Sequence, residues 1–532
     1  MAAGGFTLIK QAAQGSEIDE KLAALLTNVN AVRAIASAVE GTIGPKGLDT
    51  LLVDRFGEVV ITNDGITILT KMDVNHPAAK MVINTAKAQE EEVGDGTTTA
   101  TIMAAALLSE GVNQVMRGVP VTRIIEGIKI GGERAVKFIE EKAQKLKGVD
   151  DPLLYKVALV AGRENEDIAS LVVSAARMVG EEKLLDKRFK LSEIIVAKEG
   201  AENQVFAGII IDKERLNEEM PESLENVKIL VVDDALEPEE VEEEALATEA
   251  GFQRYLDLQE EFKDNLRKVI NLGVKLIVVD KGVSDIAEEM LTDAGVMVIS
   301  RVASSDLRKT AEHTGAKPVK RTGLKKPAEE LERYLGFADR VYEDEKLECI
   351  RVIGGKGKPM ATILVGASTE EVRGERERIC ADAASSVQAA IRGGVVAGGG
   401  ALEIACAREV EKLRSSQKGM QSYGLLCVIE ALKRPLAKIV ANAGFNPLEK
   451  VGDVMARQTE ENNDNLAVDC DTGEIKDMFE MGVIDPAPVK IHALKAALEI
   501  ACAILRIDTI IKKKDESEKR EESPESVEEV DF

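Results

Sequence analysis

A chain of 532 residues is too long for a single hydrophobic core, and its formal charge of −25 leaves no basic face for a nucleic-acid partner. With 45% apolar and 31% charged residues it reads as a globular protein of about three domains, in which no apolar run approaches the length of a membrane span. The N-terminus lacks the basic start and long apolar segment of a signal peptide, so a cytoplasmic protein with no membrane partner is expected.

The first predicted helix covers residues 19–39, where Leu22, Leu25, Leu26, Val29, Val32, Ile35 and Val39 recur at helical spacing. Thr42-Ile43-Gly44-Pro45-Lys46-Gly47 follows it. That stretch can expose backbone amides and one ammonium, and it equally suits a helix stop with a turn. Alternating segments at 50–53 and 58–61, bounded by Gly57 and Asn63-Asp64-Gly65, predict a small hairpin. Asp64 stands at its tip, where aspartate is also common for conformational reasons alone.

Helical patterns return at 78–92, 97–116 and 121–146. Between the first two lies Gly94-Asp95-Gly96-Thr97-Thr98-Thr99. A Gly-Asp-Gly turn exposes N–H groups, and the threonines place hydroxyls in the first turn of a helix. Orphan donors and the positive end of the dipole favour an anion there. A carboxylate in such a turn makes sense if Mg²⁺ sits between it and a triphosphate. A threonine-capped helix after a tight turn accounts for the same residues, and short motifs recur by chance.

The middle alternates strands with helices. Apolar runs at 205–211, 228–232, 275–279, 296–299 and 361–365 predict strands of an α/β layer domain. Residues 237–269 are rich in Glu, Leu, Asp and Lys, with Phe252, Tyr255, Leu256, Leu258 and Phe262 as apolar members. They form either an amphipathic helix covering the sheet or a projecting arm.

Beyond the middle, Asp382 stands among small residues in Cys380-Ala381-Asp382-Ala383-Ala384, where an unpartnered carboxylate is hard to bury. Gly398-Gly399-Gly400 opens the next helix and suits close approach by a ligand. Helices are predicted at 402–413, 423–441, 447–457 and 489–511. Asp485 precedes the last of these, where capping is the plain alternative. The charged run after Ile511 has little apolar surface to bury. Six cysteines without CxxC spacing read as buried free thiols. Three histidines, none paired at ligand spacing, exclude a His-based metal site or a Ser-His-Asp hydrolase. Without GxxxxGK[ST] the chain is not a P-loop protein. Helical ends around a mixed middle suggest that the ends fold together and the middle is inserted.

Taken together, residues 42–49, TNDGITIL at 62–69, GDGTTT at 94–99, VVAGGG at 395–400 and AILRIDTI at 503–510 resemble the chaperonins. The resemblance is to the group II, thermosome-like branch and extends to about residue 511. It implies a multidomain α and α/β subunit: a helical equatorial ATP-binding domain (1–147 and 401–532, with 512–532 disordered), an intermediate domain (148–215 and 366–400) and an apical client-binding domain (216–365) whose helical protrusion at about 240–268 acts as a lid. Such subunits would stack as two rings around unfolded client proteins, with ATP and Mg²⁺ as cofactors and no separate co-chaperonin.

The resemblance further implies that Thr42, Ile43, Gly44 and Pro45 cradle the triphosphate with Asp95, Gly96, Thr97, Thr98 and Thr99, and that Asp95 holds Mg²⁺. Asp64 and Asp382 would position and deprotonate the attacking water. Gly399 and Gly400 would approach the nucleoside, Asp485 would accept from the ribose, and Asp469 would lie near the base. Arg163 stands where a lysine that senses the γ-phosphate is expected, and Asp469 where asparagine is common. Phe252, Tyr255 and Leu256 are candidate client contacts. A ring scaffold or holdase without turnover and a small-molecule kinase are the competing readings. The three carboxylates together disfavour the first, and the lack of a second polar substrate pocket disfavours the other.

Overall fold

A computed structural model describes residues 4–53, 55–57, 59–239 and 248–509, with the side chains of 4–21, 370 and 371 left undescribed. The expected tail at 512–532, and the start of the expected protrusion at 240–247, lie outside the described residues.

The first helix, Gly4–Val39, starts well before residue 19. Its stretch Leu22–Thr42 is, by length and composition, apolar enough to cross a bilayer, contrary to the sequence expectation. The physical reason is its packing. Leu25, Val29, Val32, Ile35 and Val39 are buried, and the helix lies on Pro77–Val93 and Thr97–Met116. Thr97–Met116 itself buries residues around most of its circumference, as a helix at the centre of a core must.

That core joins the two chain ends. Leu107, Leu108, Ile124 and Ile128 from the first share one cluster with Leu425, Val428, Leu494 and Ile504 from the second. Helices Val121–Lys142 and Gln421–Asn442 touch backbone to backbone at Gly127 and Gly424. A Cβ on either glycine would strike the other helix's main chain. Alanine and glycine thus replace bulky aromatics, and close helix approach supplies the packing.

Two helices end sooner than their periodicity predicts. Val121–Lys142 stops because Gln144 turns to exchange backbone hydrogen bonds with Val395 at 2.8 and 2.9 Å. The last helix, Ala487–Leu505, stops short of 511. A second core packs Leu153–Ala161 and Glu166–Val179 against Glu370–Gly393 through Leu154, Val157, Ile168, Val172, Ala383 and Val387.

The middle is an eight-stranded mixed sheet in the order β3-β10-β4-β9-β8-β5-β6-β7. Its strands are β3 (Ile195–Glu199), β4 (Gln204–Ile211), β5 (Ser223–Val232), β6 (Val274–Val279), β7 (Met297–Ile299), β8 (Gly336–Asp344), β9 (Cys349–Gly355) and β10 (Ala361–Ala367). The β1 (Thr50–Val53) and β2 (Val59–Thr62) hairpin stands apart. Five of the eight strands are apolar runs legible in sequence. β3, β8 and β9 are not, because charged residues such as Lys198, Arg340 and Arg351 interrupt them.

Helix Glu249–Asn271 is the amphipathic helix expected for its region. Leu258, Phe262, Leu266 and Val269 are buried on the sheet side. Phe252 and Leu256 remain exposed, and Phe252 stacks with Tyr255 at 6.4 Å. All six cysteines are free, and Cys470 alone among them is incompletely buried.

Candidate functional site

The turn at Gly94-Asp95-Gly96 is built by two left-handed glycines, at φ 66° and 82°. Gly94 ends helix Pro77–Val93 and Gly96 begins Thr97–Met116. A β-carbon at Gly96 would lie 2.8 Å from Val489, so only glycine fits. Gln89 clamps the turn from below. Its Nε2 donates to the Asp95 carbonyl at 2.7 Å, and its Oε1 meets His492 Nδ1 at 2.5 Å. The amides and hydroxyls of Thr97, Thr98 and Thr99 open the helix at this point.

Around that helix start the chain gathers carboxylates from four segments. Asp95 accepts from Gly96 N–H at 2.5 Å and from Ser386 Oγ at 2.8 Å. Ser386 is one turn beyond Asp382, so the bond ties helix Glu370–Gly393 to the turn. Asp64 caps helix Gly65–Lys71, accepting from Thr67 N–H at 3.1 Å and Thr67 Oγ1 at 2.5 Å. Gly65 lies directly against the Thr97 and Thr98 hydroxyls.

Electrostatics report the same convergence. Burial raises the Asp382 carboxyl well above the ordinary range, and Asp95, Asp64 and Glu90 add to it against a smaller opposing pull from Arg163. Asp95 is also raised, first by burial. Glu90 is pushed up to about 7 by burial, then by Asp64 and Asp95. Such a cluster is costly without a cation, and a divalent metal with a polyphosphate would relieve it. No group of three or more His, Cys, Asp or Glu forms a metal cage among the described residues.

Two more of the predicted segments rest on one helix. Gly44 abuts Ile439 and Gly400 abuts Leu436, neighbours on helix Gln421–Asn442. Asn442 fixes the first loop by donating to the carbonyls of Glu40 at 3.0 Å and Ile43 at 2.9 Å. Thr42 Oγ1 is turned back onto the Val39 carbonyl, leaving Pro45 and the Gly44 amide at the loop tip. Strands β11 (Val395–Ala397) and β14 (Ile484–Pro486) pair Val396 with Asp485 and bring Gly398 beside it, while Gly399 lies against Met478 and Val483.

Asp469 is different. Its buried carboxylate accepts from Lys476 Nζ at 2.6 Å, Thr472 Oγ1 at 2.9 Å and Asp471 N–H at 2.9 Å within its own hairpin turn. The lysine contact, chiefly, holds it below the usual carboxylate range. Lys46 on the first loop reaches the same turn through Asp471 at 2.5 Å. Phe252, Tyr255 and Leu256 lie on the helix of the middle sheet, in a different part of the chain from these elements.

Three residues escaped sequence reasoning. Glu90 sat inside a Glu-Glu-Glu run, although spacing four from buried Ala86 puts it on the inner face. Lys490 and Glu403 are the other two. Lys490 Nζ bridges Asp485 and Glu403, each at 2.8 Å. Burial works against the ammonium, but the two carboxylates outweigh it and its affinity for the proton rises. A lysine in the first turn of a mostly apolar helix was the available signal.

Residues 35–515 match the TCP-1/cpn60 chaperonin family. The chain is 36% identical to a thermosome subunit of Pyrococcus horikoshii, over 91% of this chain and 90% of that one. It is 37% identical to the thermosome subunit beta of Archaeoglobus fulgidus, over 91% of each chain. Among solved structures, a group III chaperonin crystallised in the open state is 50% identical. It superposes with a TM-score of 0.86, over 93% of this chain and all of that one.

Proposed function

Because the chain belongs to the TCP-1/cpn60 chaperonin family, whose members fold proteins at the expense of ATP, we propose that it is the subunit of a double-ring folding chamber that closes with its own protrusion. The observation that carries this reading is the meeting of Asp64, Asp95 and Asp382 at the start of helix Thr97–Met116. A scaffold without turnover has no use for three mutually repelling carboxylates.

The proposed division is the one the family resemblance implies. Residues 1–147 and 401–532 form the equatorial part, 148–215 and 366–400 the intermediate part, and 216–365 the apical part. In the equatorial part Thr42–Pro45 and Asp95–Thr99 take the triphosphate, with backbone amides and helix dipole facing its charge. Gly399 and Gly400 leave room for the nucleoside, and Asp485, oriented by Lys490, accepts from the ribose. Asp469 contributes main chain near the base, since its carboxylate is already engaged. Asp95 would hold Mg²⁺, which supplies charge neutralisation of the phosphates.

Asp64 and Asp382 then orient the attacking water and accept its proton, where positioning and charge supply most of the rate. Asp382 belongs to the intermediate part, so its approach couples hydrolysis to movement of that part. Arg163, a planar fork where a point ammonium is usual, reads the γ-phosphate. That substitution, together with the higher identity to the group III neighbour than to the thermosomes, supports a lineage set apart from the thermosomes. The exposed Phe252 and Leu256 offer apolar surface to clients, and the protrusion makes a separate cap unnecessary.

The test is electron microscopy of the purified protein, nucleotide-free and trapped with ATP and aluminium fluoride. Stacked rings that close without an added cap are expected. Rings that stay open would remove the lid, and absence of rings would remove the assembly.

A further inference from the structure

Arg163 is engaged by carboxylates of helix Glu370–Gly393. Its Nη1 donates to Glu375 Oε1 at 2.6 Å, whereas Nη2 lies 3.8 Å from Asp382 Oδ2. The second oxygen of Glu375 accepts from Arg378 Nη2 at 2.6 Å and from Thr62 Oγ1 at 3.3 Å. Thr62 Oγ1 in turn accepts the backbone N–H of Asp64 at 3.1 Å. Glu375 and Asp382 are seven residues apart on one helix, hence on the same face. One carboxylate therefore touches the Arg163 loop, the strand end that supports Asp64, and its own helix, which carries Asp382.

A guanidinium presents a single planar fork, and a carboxylate and a phosphate compete for the same donors. We propose that Glu375 is a positioning residue that holds Arg163 in reserve, so that the γ-phosphate of a bound nucleotide must take the guanidinium from this carboxylate before the hydrolytic site is complete. The inference rests on Arg163 as the γ-phosphate reader. It adds that the cost of freeing Arg163 falls on the triphosphate and spares the diphosphate, which has no γ-phosphate to compete. It adds also that the exchange loosens Glu375 from Thr62, so recognition of the third phosphate is felt at the strand end behind Asp64. The Arg163 and Glu375 side chains are 27% and 25% exposed, so water screens part of the attraction and the effect is moderate.

The experiment measures dissociation constants of full-length protein for AMP-PNP and ADP, with Mg²⁺, by displacement of a fluorescent nucleotide. Glu375→Gln is expected to tighten AMP-PNP about fivefold and leave ADP unchanged. Arg163→Ala should erase most of the preference of wild type for AMP-PNP over ADP, and Glu375→Gln added to it should change neither constant. Equal shifts for both nucleotides in Glu375→Gln would make Glu375 a purely structural residue and overturn the proposal. An Arg163→Ala protein that keeps its preference would instead remove the γ-phosphate role of Arg163. If the glutamine variant fails to fold, Glu375→Asp, which draws the carboxylate back by one methylene, carries the same comparison. A smaller tightening confined to AMP-PNP is then expected, and its absence overturns the proposal.

Discussion

Asp382→Asn separates stability from turnover. In the nucleotide-free protein the Asp382 carboxyl, its side chain 21% exposed, stands near Asp95, Asp64 and Glu90 with Arg163 opposing, and is raised well above its ordinary range, first by its withdrawal from water. Such a group must either stay charged among like charges or carry a proton at neutral pH. The second option caps the cost at pH 7 at about 4 kcal/mol, the free energy of protonating an ordinary aspartate there. An amide of the same shape avoids both, so a gain of about 1–3 kcal/mol is expected at pH 7 after allowing for the lost attraction to Arg163. The sign depends on pH. A folded-state value above the unfolded one means that wild type is favoured below the unfolded range and loses that stability as pH rises, so the advantage of asparagine should vanish near pH 4. Hydrolysis should fall by about 10²–10⁴, the usual contribution of a general base. Urea unfolding at fixed protein concentration, at pH 4 and 7, together with steady-state phosphate release, reads both effects. A variant less stable at pH 7, or one that still turns over near the wild-type rate, would refute the reasoning.

Three further outcomes are expected. Glu90, pushed up to about 7 from an ordinary 4.5, should make the nucleotide-free protein lose up to about 3 kcal/mol as pH rises through that interval. Glu90→Gln should therefore be the more stable protein at pH 7.5 and match wild type near pH 4.5, as chemical denaturation at the two pH values would report. Lys490→Met leaves Glu403 and Asp485 buried without their shared cation and should cost about 3–5 kcal/mol, with weakened nucleotide binding; adding Glu403→Gln should recover part of the stability. Replacing residues 249–257 by a short Gly-Ser link keeps Leu258, Phe262, Leu266 and Val269 in place. ATP hydrolysis should persist while a denatured client loses protection from protease in the presence of ATP and aluminium fluoride. Continued protection would show that this segment is not the lid.

Much of the molecule was legible before any coordinates. Helical periodicity located the helices of both ends, because each carries an apolar stripe that a core must cover, although it missed the first fifteen residues of the helix that begins at Gly4 and overran the end of the last one. The turn at 94–99 announced itself through glycines that no other residue can replace. Strands β3, β8 and β9 were hidden by charges that the sheet tolerates either toward solvent, as at Arg340, or paired, as at the buried Arg351 with Asp344, and the apolar first helix could not reveal from its own sequence that the other helices would bury it. The site divides in the same way. Residue types suited to phosphate and metal were visible as short local motifs, whereas their meeting was not, since Asp64, Asp95, Asp382 and Asp485 are separated by tens to hundreds of residues. Only the packing of chain ends and the Glu370–Gly393 helix around Thr97–Met116 brings them together. That same packing decides what each group experiences: it raises Asp382 and Glu90 through shared burial, turns the Asp469 carboxylate inward onto its hairpin, and sets Arg163 against Glu375. Chemistry is carried by residue identity, but proton affinity and partnership depend on distance and exposure to water, which are properties of the fold.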